Sequence, residues 1–334
     1  MKTRILKIVI LLVLIILIFI QLKDVLIMNY LNWIYQYLKN PDIIKSQVNS
    51  MRCIFEGPVV RALGNNQKSE LSMFVISLMD PPPLKSLRRA LKNRNATMKK
   101  NAAALLGYHK DKKSTDMLLN LAINDENISV RCKVIEAIGK IGDERAVLII
   151  SDLRTNDDPL IRISVAKALG EAKSVYAIKP LKDLLQDSNI EVRRYAVFGL
   201  GEIHSPETIN GIIRALNDEN MSVRIQAIRT LAFRRHEKAV TPLLILLNDP
   251  NKNVRIKTIY SLLEYKDERV TDKLINLLET SNDYDIIYPT VSALGYIGDK
   301  KALKPLIEKL SKCDNDILKR SIKNSINKIK RNNQ

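Results

Sequence analysis

Apolar residues recur along most of this chain at the spacing of an α-helix. Val192, Ala196, Val197 and Leu200 fall on one helical stripe, and the same stripe returns 31 residues later. No stretch alternates between apolar and polar residues with a period of two, so strands are not expected. The pattern therefore predicts an all-α protein built from amphipathic helices.

A repeat of fixed length is marked by five arginines at intervals of 31 residues: Arg131, Arg162, Arg193, Arg224 and Arg255. Six residues before each arginine lies Asp125, Asn156, Asp187, Asp218 or Asp249. A constant period of this length is typical of an array in which each unit buries its apolar face against its neighbours. We expect each unit to be a pair of helices joined by a turn that contains the aspartate.

The ends of the predicted helices are marked by proline and glycine. Proline is tolerated in the first turn of a helix, and glycine is common just beyond the end of one. The helix-opening prolines are Pro180, Pro242 and Pro305. The glycines predicted to end the Val-Arg helices are Gly139, Gly170, Gly201 and Gly295.

The turn aspartate, the Val-Arg pair, the Ala-Leu-Gly ending and the helix-opening proline together resemble the HEAT-repeat superfamily, in its short form named for the phycobilisome lyases. The resemblance extends from about Pro82 to about Ile329 and implies a right-handed α-solenoid of about eight helix pairs. It also implies that the Asp and Arg columns form an internal ladder between successive repeats. The alternative is that the arginines bind an anion, because arginine suits phosphate and carboxylate groups.

The N-terminal sequence predicts a transmembrane anchor. Residues 8–20 are continuously apolar, and residues 5–22 reach the lower limit of about 17 residues for a span. A secretory signal peptide is the alternative, but no small residue suited to cleavage precedes Ser46. Lys2, Arg4 and Lys7 precede the apolar run at 8–20 and outnumber the cations that follow it, Lys23 and Lys39, which favours a cytoplasmic N-terminus.

Four regions are therefore predicted: an anchor at 1–24, a helical connector at 25–81, the repeat array at 82–330 and a basic, polar tail end at 331–334. The connector contains an aromatic-rich stretch at 29–37. Trp and Tyr are favoured at membrane interfaces, so this stretch either lies at the bilayer surface or packs onto the first repeat.

Formal net charge is +18, from 54 Lys and Arg against 36 Asp and Glu. Basic residues concentrate between 85 and 113 and after Asp316. Such clusters attract anionic lipid or another polyanion, and the alternative is an ordinary solvated surface rich in lysine. Nucleic acid is disfavoured as a partner, because the single tryptophan, Trp33, lies outside the array.

The sequence offers no catalytic constellation. Cys53, Cys132 and Cys313 are isolated, which gives neither a zinc site nor a disulfide framework. HEAT-type hydroxylases use repeated His-Glu pairs to hold two irons, whereas here only His236-Glu237 has that form. No residue carries over the activity of the bilin lyases. We therefore predict no metal, no cofactor and no enzymatic activity.

A partner is expected on the concave side of the array, where positions one, two and five after each arginine point away from the core. These positions become aromatic and basic toward the C-terminal half, and such residues are enriched at binding hot spots. The alternative is that the rings fill gaps between repeats. The predicted site residues are Arg194, Tyr195, Phe198, Arg229, Lys257, Tyr260 and Tyr288.

Taken together, the sequence predicts a membrane-anchored, non-enzymatic scaffold that receives an acidic or extended segment of a protein partner. An accessory or chaperone-like subunit of a protein-modifying lyase is the alternative function. Binding of anionic lipid or another polyanion through the basic first repeat and tail is a further alternative.

Overall fold

The computed structural model describes residues 49, 52–65, 69–265 and 267–332. The predicted anchor at 1–24, the aromatic stretch at 29–37 and the last two residues of the tail lie outside these ranges. Within them, no helix combines the length and the apolar character needed to cross a bilayer.

Every regular element in the described ranges is helical, which confirms the all-α prediction. The chain divides into two units, unit 1 up to Ala172 and unit 2 from Lys173. The α-helices of unit 1 are α1 Arg52–Ala62, α2 Ser69–Leu78, α3 Leu84–Ala90, α4 Ala96–Tyr108, α5 Thr115–Asn124, α6 Ile128–Ile141, α7 Glu144–Ser151 and α8 Pro159–Ala172. Those of unit 2 are α9 Ile178–Leu184, α10 Ile190–Glu202, α11 Ile209–Arg214, α12 Met221–Arg234, α13 Val240–Ile245, α14 Lys252–Leu262, α15 Glu268–Thr280, α16 Tyr284–Ile297, α17 Leu303–Ser311 and α18 Asp316–Asn332.

From α3 onward the helices form consecutive antiparallel pairs, and the eight pairs from α3/α4 to α17/α18 match the number that the repeat pattern predicts. The recurring arginines lie on the second helix of their pairs, which are α6, α8, α10, α12 and α14. Within unit 1, α4 packs on α6 and α6 on α8; within unit 2, α10, α12, α14, α16 and α18 pack in sequence. The predicted connector contributes the helices α1 and α2, and α18 continues through the first two residues of the predicted tail.

Asparagine caps fix where most of the Val-Arg helices begin. The side chain of Asn220 accepts a hydrogen bond from the backbone N–H of Ser222, and Asn127, Asn189 and Asn251 act in the same way on their own helices. A side-chain oxygen at this position satisfies a backbone donor that the helix leaves unpaired.

The glycines predicted to end these helices lie inside them, so that prediction is wrong. Gly139 is the twelfth residue of α6, and the helix continues to a true C-cap at Gly142, whose φ of 68° is left-handed. A Cβ atom on Gly139 would lie 2.5 Å from the Cα of Ala168 in α8. Glycine is present here because two helix backbones approach closely, and it does not serve to stop the helix.

Two polar side chains join successive repeats of unit 2: Tyr265, which is buried, and Arg234, which is half-buried. The Arg234 guanidinium donates to the carbonyl oxygens of Ile203, at 2.6 Å, and Gly201, at 3.1 Å. The hydroxyl of Tyr265 donates to the Leu231 carbonyl oxygen at 2.6 Å, and burial raises the pKa of this phenol. These bonds reach carbonyl groups near the ends of α10 and α12, and two of these carbonyls, on Ile203 and Leu231, also accept a backbone N–H.

Candidate functional site

The arginine column is either an internal ladder or an anion-binding row, and the contacts of Arg193 show its role in unit 2. Its Nε and Nη2 atoms donate to the two carboxylate oxygens of Asp218 at 2.8 and 3.0 Å, and Nη2 also reaches Glu219 at 3.1 Å. Its Nη1 donates to the backbone carbonyls of Asp187, at 2.9 Å, and Ser188, at 3.4 Å. The bonds to Asp218 raise the pKa of this arginine, whose side chain is buried.

Asp218 accepts hydrogen bonds from the preceding repeat and from its own turn. Besides the two bonds from Arg193 of the preceding repeat, its Oδ1 accepts the backbone N–H of Asn220 at 2.9 Å, in the turn of its own repeat. Asn220 then caps α12. One aspartate thus shapes the turn, positions the cap and receives the arginine, which explains why an acid recurs at this position.

The inter-repeat bond is not uniform along the column. Arg224 repeats the bidentate contact with Asp249, at 2.9 Å for both bonds. Arg255 donates to the backbone carbonyl oxygen of Asp249 at 2.8 Å, but the next turn supplies no carboxylate to it. Arg162 donates to the carbonyl oxygen of Asn156 at 2.7 Å. In the first repeat Lys99 takes this role and pairs with Asp125. Arg131 donates to the Ala122 carbonyl oxygen at 2.9 Å.

These contacts favour a structural role for the column over the anion-binding alternative. A cleft of about 630 Å³ opens beside Arg193, but every terminal nitrogen of that guanidinium is already bound to protein oxygens. The side chains of the Arg224–Asp249 pair are also largely buried, at 11% and 4% exposure. A ligand anion would have to displace a buried carboxylate.

The predicted partner site lies on the second helices of successive pairs in unit 2. Phe198 on α10, Arg229 on α12 and Tyr260 on α14 hold the same position, five residues after the arginine, and all three are exposed. Because these helices pack in sequence, the three side chains form a row. Tyr288 on α16 is exposed beside them, and Tyr195 is half-buried.

Two exposed aromatic residues on this face were missed in the sequence. Phe233 near the end of α12 is 72% exposed, and Tyr296 near the end of α16 is 61% exposed. Both lie nine residues after the arginine position, one helical turn beyond the fifth. The signal was present in the spacing, since residues i and i+4 share a helix face. We call Tyr195, Phe198, Arg229, Phe233, Lys257, Tyr260, Tyr288 and Tyr296 the aromatic face.

The three cations of the predicted partner site differ in whether a carboxylate of the protein already pairs with them. Arg194 is held by Glu191 on its own helix and stacks on the Tyr195 ring, 4.7 Å from its centroid. By contrast, Arg229 and Lys257 form no hydrogen bond or ion pair within the described part of the chain, and both are exposed. Arg229 and Lys257 therefore remain available to a partner, whereas Arg194 is committed within the protein.

The corresponding face of unit 1 has different chemistry. Glu136 on α6 lies 2.7 Å from the Nζ of Lys133 and 3.7 Å from the Nζ of Lys167 on α8, so its charges are paired. Ser164, at another of these positions, is buried. The change from paired charges in unit 1 to exposed aromatic rings in unit 2 follows the trend read from the sequence.

The described cysteines and histidines form no reactive group. Burial raises the pKa of Cys132, whose thiol donates to the Leu160 carbonyl oxygen at 3.5 Å. Cys313 is buried, and His236 caps a short turn through its ring. Across the described ranges, no cluster of three or more His, Cys, Asp or Glu side chains is arranged to hold a metal ion.

Comparison with known families finds the HEAT-repeat family, whose pattern matches residues 84–170, 178–250 and 240–327. These segments cover well over half of the chain and coincide with the helix pairs from α3 to α18. A search of curated proteins found no significant match.

Solved structures share the fold at low sequence identity. YibA of Escherichia coli is 24% identical, with a TM-score of 0.51 over 74% of this chain and 92% of its own. Kap95p, in a structure of its assembly with RanGDP, is 14% identical with a TM-score of 0.58 over 90% of this chain and 47% of its own. The CpcE–CpcF phycocyanin lyase of Nostoc sp. PCC7120 is 15% identical over 74% of this chain and 94% of its own, and its TM-score of 0.34 is too low to support an argument.

Proposed function

Because this chain belongs to the HEAT-repeat family, we propose that it is a non-enzymatic scaffold whose aromatic face binds an extended, acidic segment of a protein partner. Kap95p, which shares the fold, is described in contact with a protein, RanGDP. The proposal depends mainly on one observation: five aromatic rings, each more than two-fifths exposed, and two unpaired cations lie on the second helices of four successive pairs.

The rings supply the apolar part of the interaction. Phe198, Phe233, Tyr260, Tyr288 and Tyr296 are 44%, 72%, 46%, 46% and 61% exposed. Clustered exposed aromatic residues mark contact surfaces, and large rigid rings lose little conformational entropy on binding. A filler role between repeats would instead leave these rings mostly covered by the neighbouring helix.

The free cations specify an acidic partner. Arg229 is positioned between the rings of Phe198 and Tyr260 in the row of fifth positions, and Lys257 lies on the next helix. The exposed acids near this face are already paired: Glu191 with Arg194, and Glu264 with Arg235. A carboxylate on the partner would therefore meet unpaired positive charge with little competition from the protein's own acids.

An extended segment fits the geometry better than a folded domain. The row crosses α10, α12 and α14, and neighbouring packed helices are about 8–10 Å apart. A chain in an extended conformation advances about 3.3 Å per residue, so every third residue would reach the next helix. Membrane attachment through residues 5–22 is part of the proposal and would place this face close to partners at a bilayer.

Selection from a library of randomised displayed peptides by the full chain tests the proposal without a known partner. We expect enriched sequences to combine acidic residues with apolar residues at intervals of about three. Phe233→Ala and Tyr260→Ala should each weaken the selected peptides about tenfold or more, as truncation of a central aromatic contact does.

The matched controls are Ile245→Ala and Val175→Ala, which remove exposed apolar side chains outside the aromatic face. They should leave peptide affinity unchanged. If the two pairs of variants weaken binding equally, or if neither does, the aromatic face is not the binding surface.

A further inference from the structure

A second charged surface lies in unit 1, on the first helix pair of the array, and the aromatic face does not involve it. Ten Lys and Arg residues occur between 85 and 113, against the single acid Asp111. Two of them are consumed in ion pairs: Arg88 with Asp111 and Lys99 with Asp125. Seven are exposed: Lys85, Arg89, Lys92, Arg94, Lys110, Lys112 and Lys113. We call these seven residues the basic surface.

The ion pair of Arg88 brings the parts of the basic surface together. Its Nη1 donates to both carboxylate oxygens of Asp111, at 2.9 and 2.7 Å, which holds α3 against the turn that follows α4. Lys85 and Arg89 share α3 with Arg88, and Lys112 and Lys113 follow Asp111 directly, so the ion pair joins the two elements that carry these cations. The only acid in this stretch is buried and neutralised, so it does not reduce the positive potential outside.

None of the seven cations has a hydrogen bond or ion pair within the described residues, and five of the seven are lysines. Lysine is a flexible point charge, whereas discrete phosphate sites favour the fixed fork of arginine. The cations are spread over the exposed side of a short helix and a turn, without a row of stacking aromatic residues. Tyr108, 67% exposed, is the one large exposed ring close to them in the described sequence. This arrangement suits a broad anionic surface, while single-stranded nucleic acid is usually bound by a groove with several stacking rings.

We propose that the basic surface binds the anionic headgroups of a phospholipid bilayer. Charge complementarity supports this occupant, as does chain order: the surface belongs to the first repeat, on the side of the array nearest in sequence to the apolar segment at 5–22. An amphipathic ring such as Tyr108 is also favoured at a membrane interface. Contact at this surface would orient the array on the bilayer.

Lysine acylation footprinting of the full chain in lipid nanodiscs tests the proposal. Discs of phosphatidylcholine alone are compared with discs of phosphatidylcholine and phosphatidylglycerol in equal parts, because the apolar segment can enter both. We expect Lys85, Lys92, Lys112 and Lys113 to be acylated several-fold more slowly in the anionic discs, and the protection to disappear in high salt. The reference residues Lys300, Lys301 and Lys304, exposed in unit 2, should react equally in both.

Charge variants separate a specific surface from overall charge. Arg89→Gln with Arg94→Gln keeps all four reporter lysines and should reduce their protection about fivefold for each charge that lies at the membrane. Arg320→Gln with Arg331→Gln removes the same charge from α18 and should have no effect. Circular dichroism checks that both variants are folded, and Arg89→Lys with Arg94→Lys should retain the protection.

Equal acylation in the two kinds of disc would overturn the proposal, and so would equal effects of the two glutamine variants. A mixed-sequence oligonucleotide is added to neutral discs as a third arm. If it protects the four lysines more strongly than phosphatidylglycerol does, the surface binds nucleic acid and the proposal is wrong. Peptide binding at the aromatic face is independent of all these outcomes.

Discussion

At the scale of single residues, the recurring arginine is explained by its buried partners. Arg193 satisfies two carbonyl groups of its own turn and the carboxylate of Asp218 in the next repeat. Both side chains are largely buried, at 7% and 10% exposure, so either charge is poorly solvated if the other is removed. Breaking such a pair is costly because it leaves an uncompensated charge in a poorly solvated position.

Asp218→Asn should therefore lower the free energy of unfolding of the full chain by about 2 kcal/mol or more. We expect a loss of stability at the lower end of the range for a broken buried ion pair, because Glu219 remains 3.1 Å from the Arg193 guanidinium. Asp272→Asn is the matched control, since its contact with Lys301 is exposed and 3.7 Å long. That change should cost well under about 1 kcal/mol. Equal losses in chemical unfolding followed by circular dichroism would show that the buried pair adds no stability.

His109 makes the stability of unit 1 depend on pH. Its Nε2 is buried without a hydrogen-bond partner, and burial lowers the pKa of the ring below its ordinary value of 6.5. The unfolded chain therefore takes up a proton at a higher pH than the folded chain. The contribution of neutral His109 to stability is fully present above about pH 6.5, and it is lost as the pH falls through the pKa of His109 in the folded protein.

His109→Phe removes this titration and the unpaired nitrogen together. We expect the variant to lose less stability than the parent protein between neutral and mildly acidic pH, measured as the shift in thermal unfolding. An unchanged difference between the two proteins across that range would mean that His109 titrates alike in the folded and unfolded states.

At the scale of helices, glycine marks close packing between neighbouring repeats. An added Cβ at Gly139 would lie 2.5 Å from the Cα of Ala168 and 2.6 Å from its carbonyl oxygen, and a backbone cannot move away as a flexible side chain can. The helices α6 and α8 are in contact at this point.

Gly139→Ala should destabilise the protein by about 1–3 kcal/mol through this overlap. Alanine is otherwise favoured over glycine inside a helix by about 1 kcal/mol. A loss of stability therefore indicates overlap with α8, whereas a gain indicates that helix propensity alone decides. Gly57→Ala in α1 is the control, because its Cβ would approach only the flexible end of Arg61 at 3.3 Å. Stabilisation by both substitutions in thermal unfolding would contradict the packing explanation.

The helix pairs were predictable because their repeat is encoded three times over, in the apolar stripe, the proline and the Asp-to-Arg spacing. The role of the glycines was not predictable, because a glycine near a helix end looks the same in sequence whether it caps the helix or allows a neighbouring helix to pack closely. Phe233 and Tyr296 were missed for a related reason: their exposure depends on α12 and α16 continuing past the position where the sequence pattern suggested an end.

The candidate site was predictable at the positions where helix geometry alone decides exposure. Phe198, Arg229 and Tyr260 all point outward, as the fifth position should. Which cations are free could not be read from the sequence. Arg194 and Lys257 are one residue apart in repeat position, yet only the structure shows that Glu191 pairs with Arg194.

At the scale of the whole molecule, one array of repeats carries two surfaces of different chemistry. Unit 2 presents the aromatic face, and unit 1 presents the basic surface. In both units the regular residues build the array, while the residues that vary between repeats give each surface its chemistry. Repeat arrays allow this division because each unit needs only its neighbours for stability.

The anchor predicted at residues 5–22 belongs to the whole-molecule account. We expect the full chain to remain with membranes after washes that release peripheral proteins, and deletion of residues 1–24 to release it. Since the cations before the segment favour a cytoplasmic N-terminus, protease added to intact cells should cleave the array. Cleavage only after lysis would reverse the orientation, and loss of the full chain in the wash would contradict the anchor.

The most direct test of the central claim is a charge exchange at the aromatic face. A peptide selected by the full chain is compared with a version in which its acidic residues are replaced by lysine, against the parent protein and against Arg229→Glu with Lys257→Glu. The account predicts that the parent protein prefers the acidic peptide and that the double variant prefers the lysine peptide. If the double variant keeps the parent's preference, the aromatic face does not recognise an acidic segment and the proposed function is wrong.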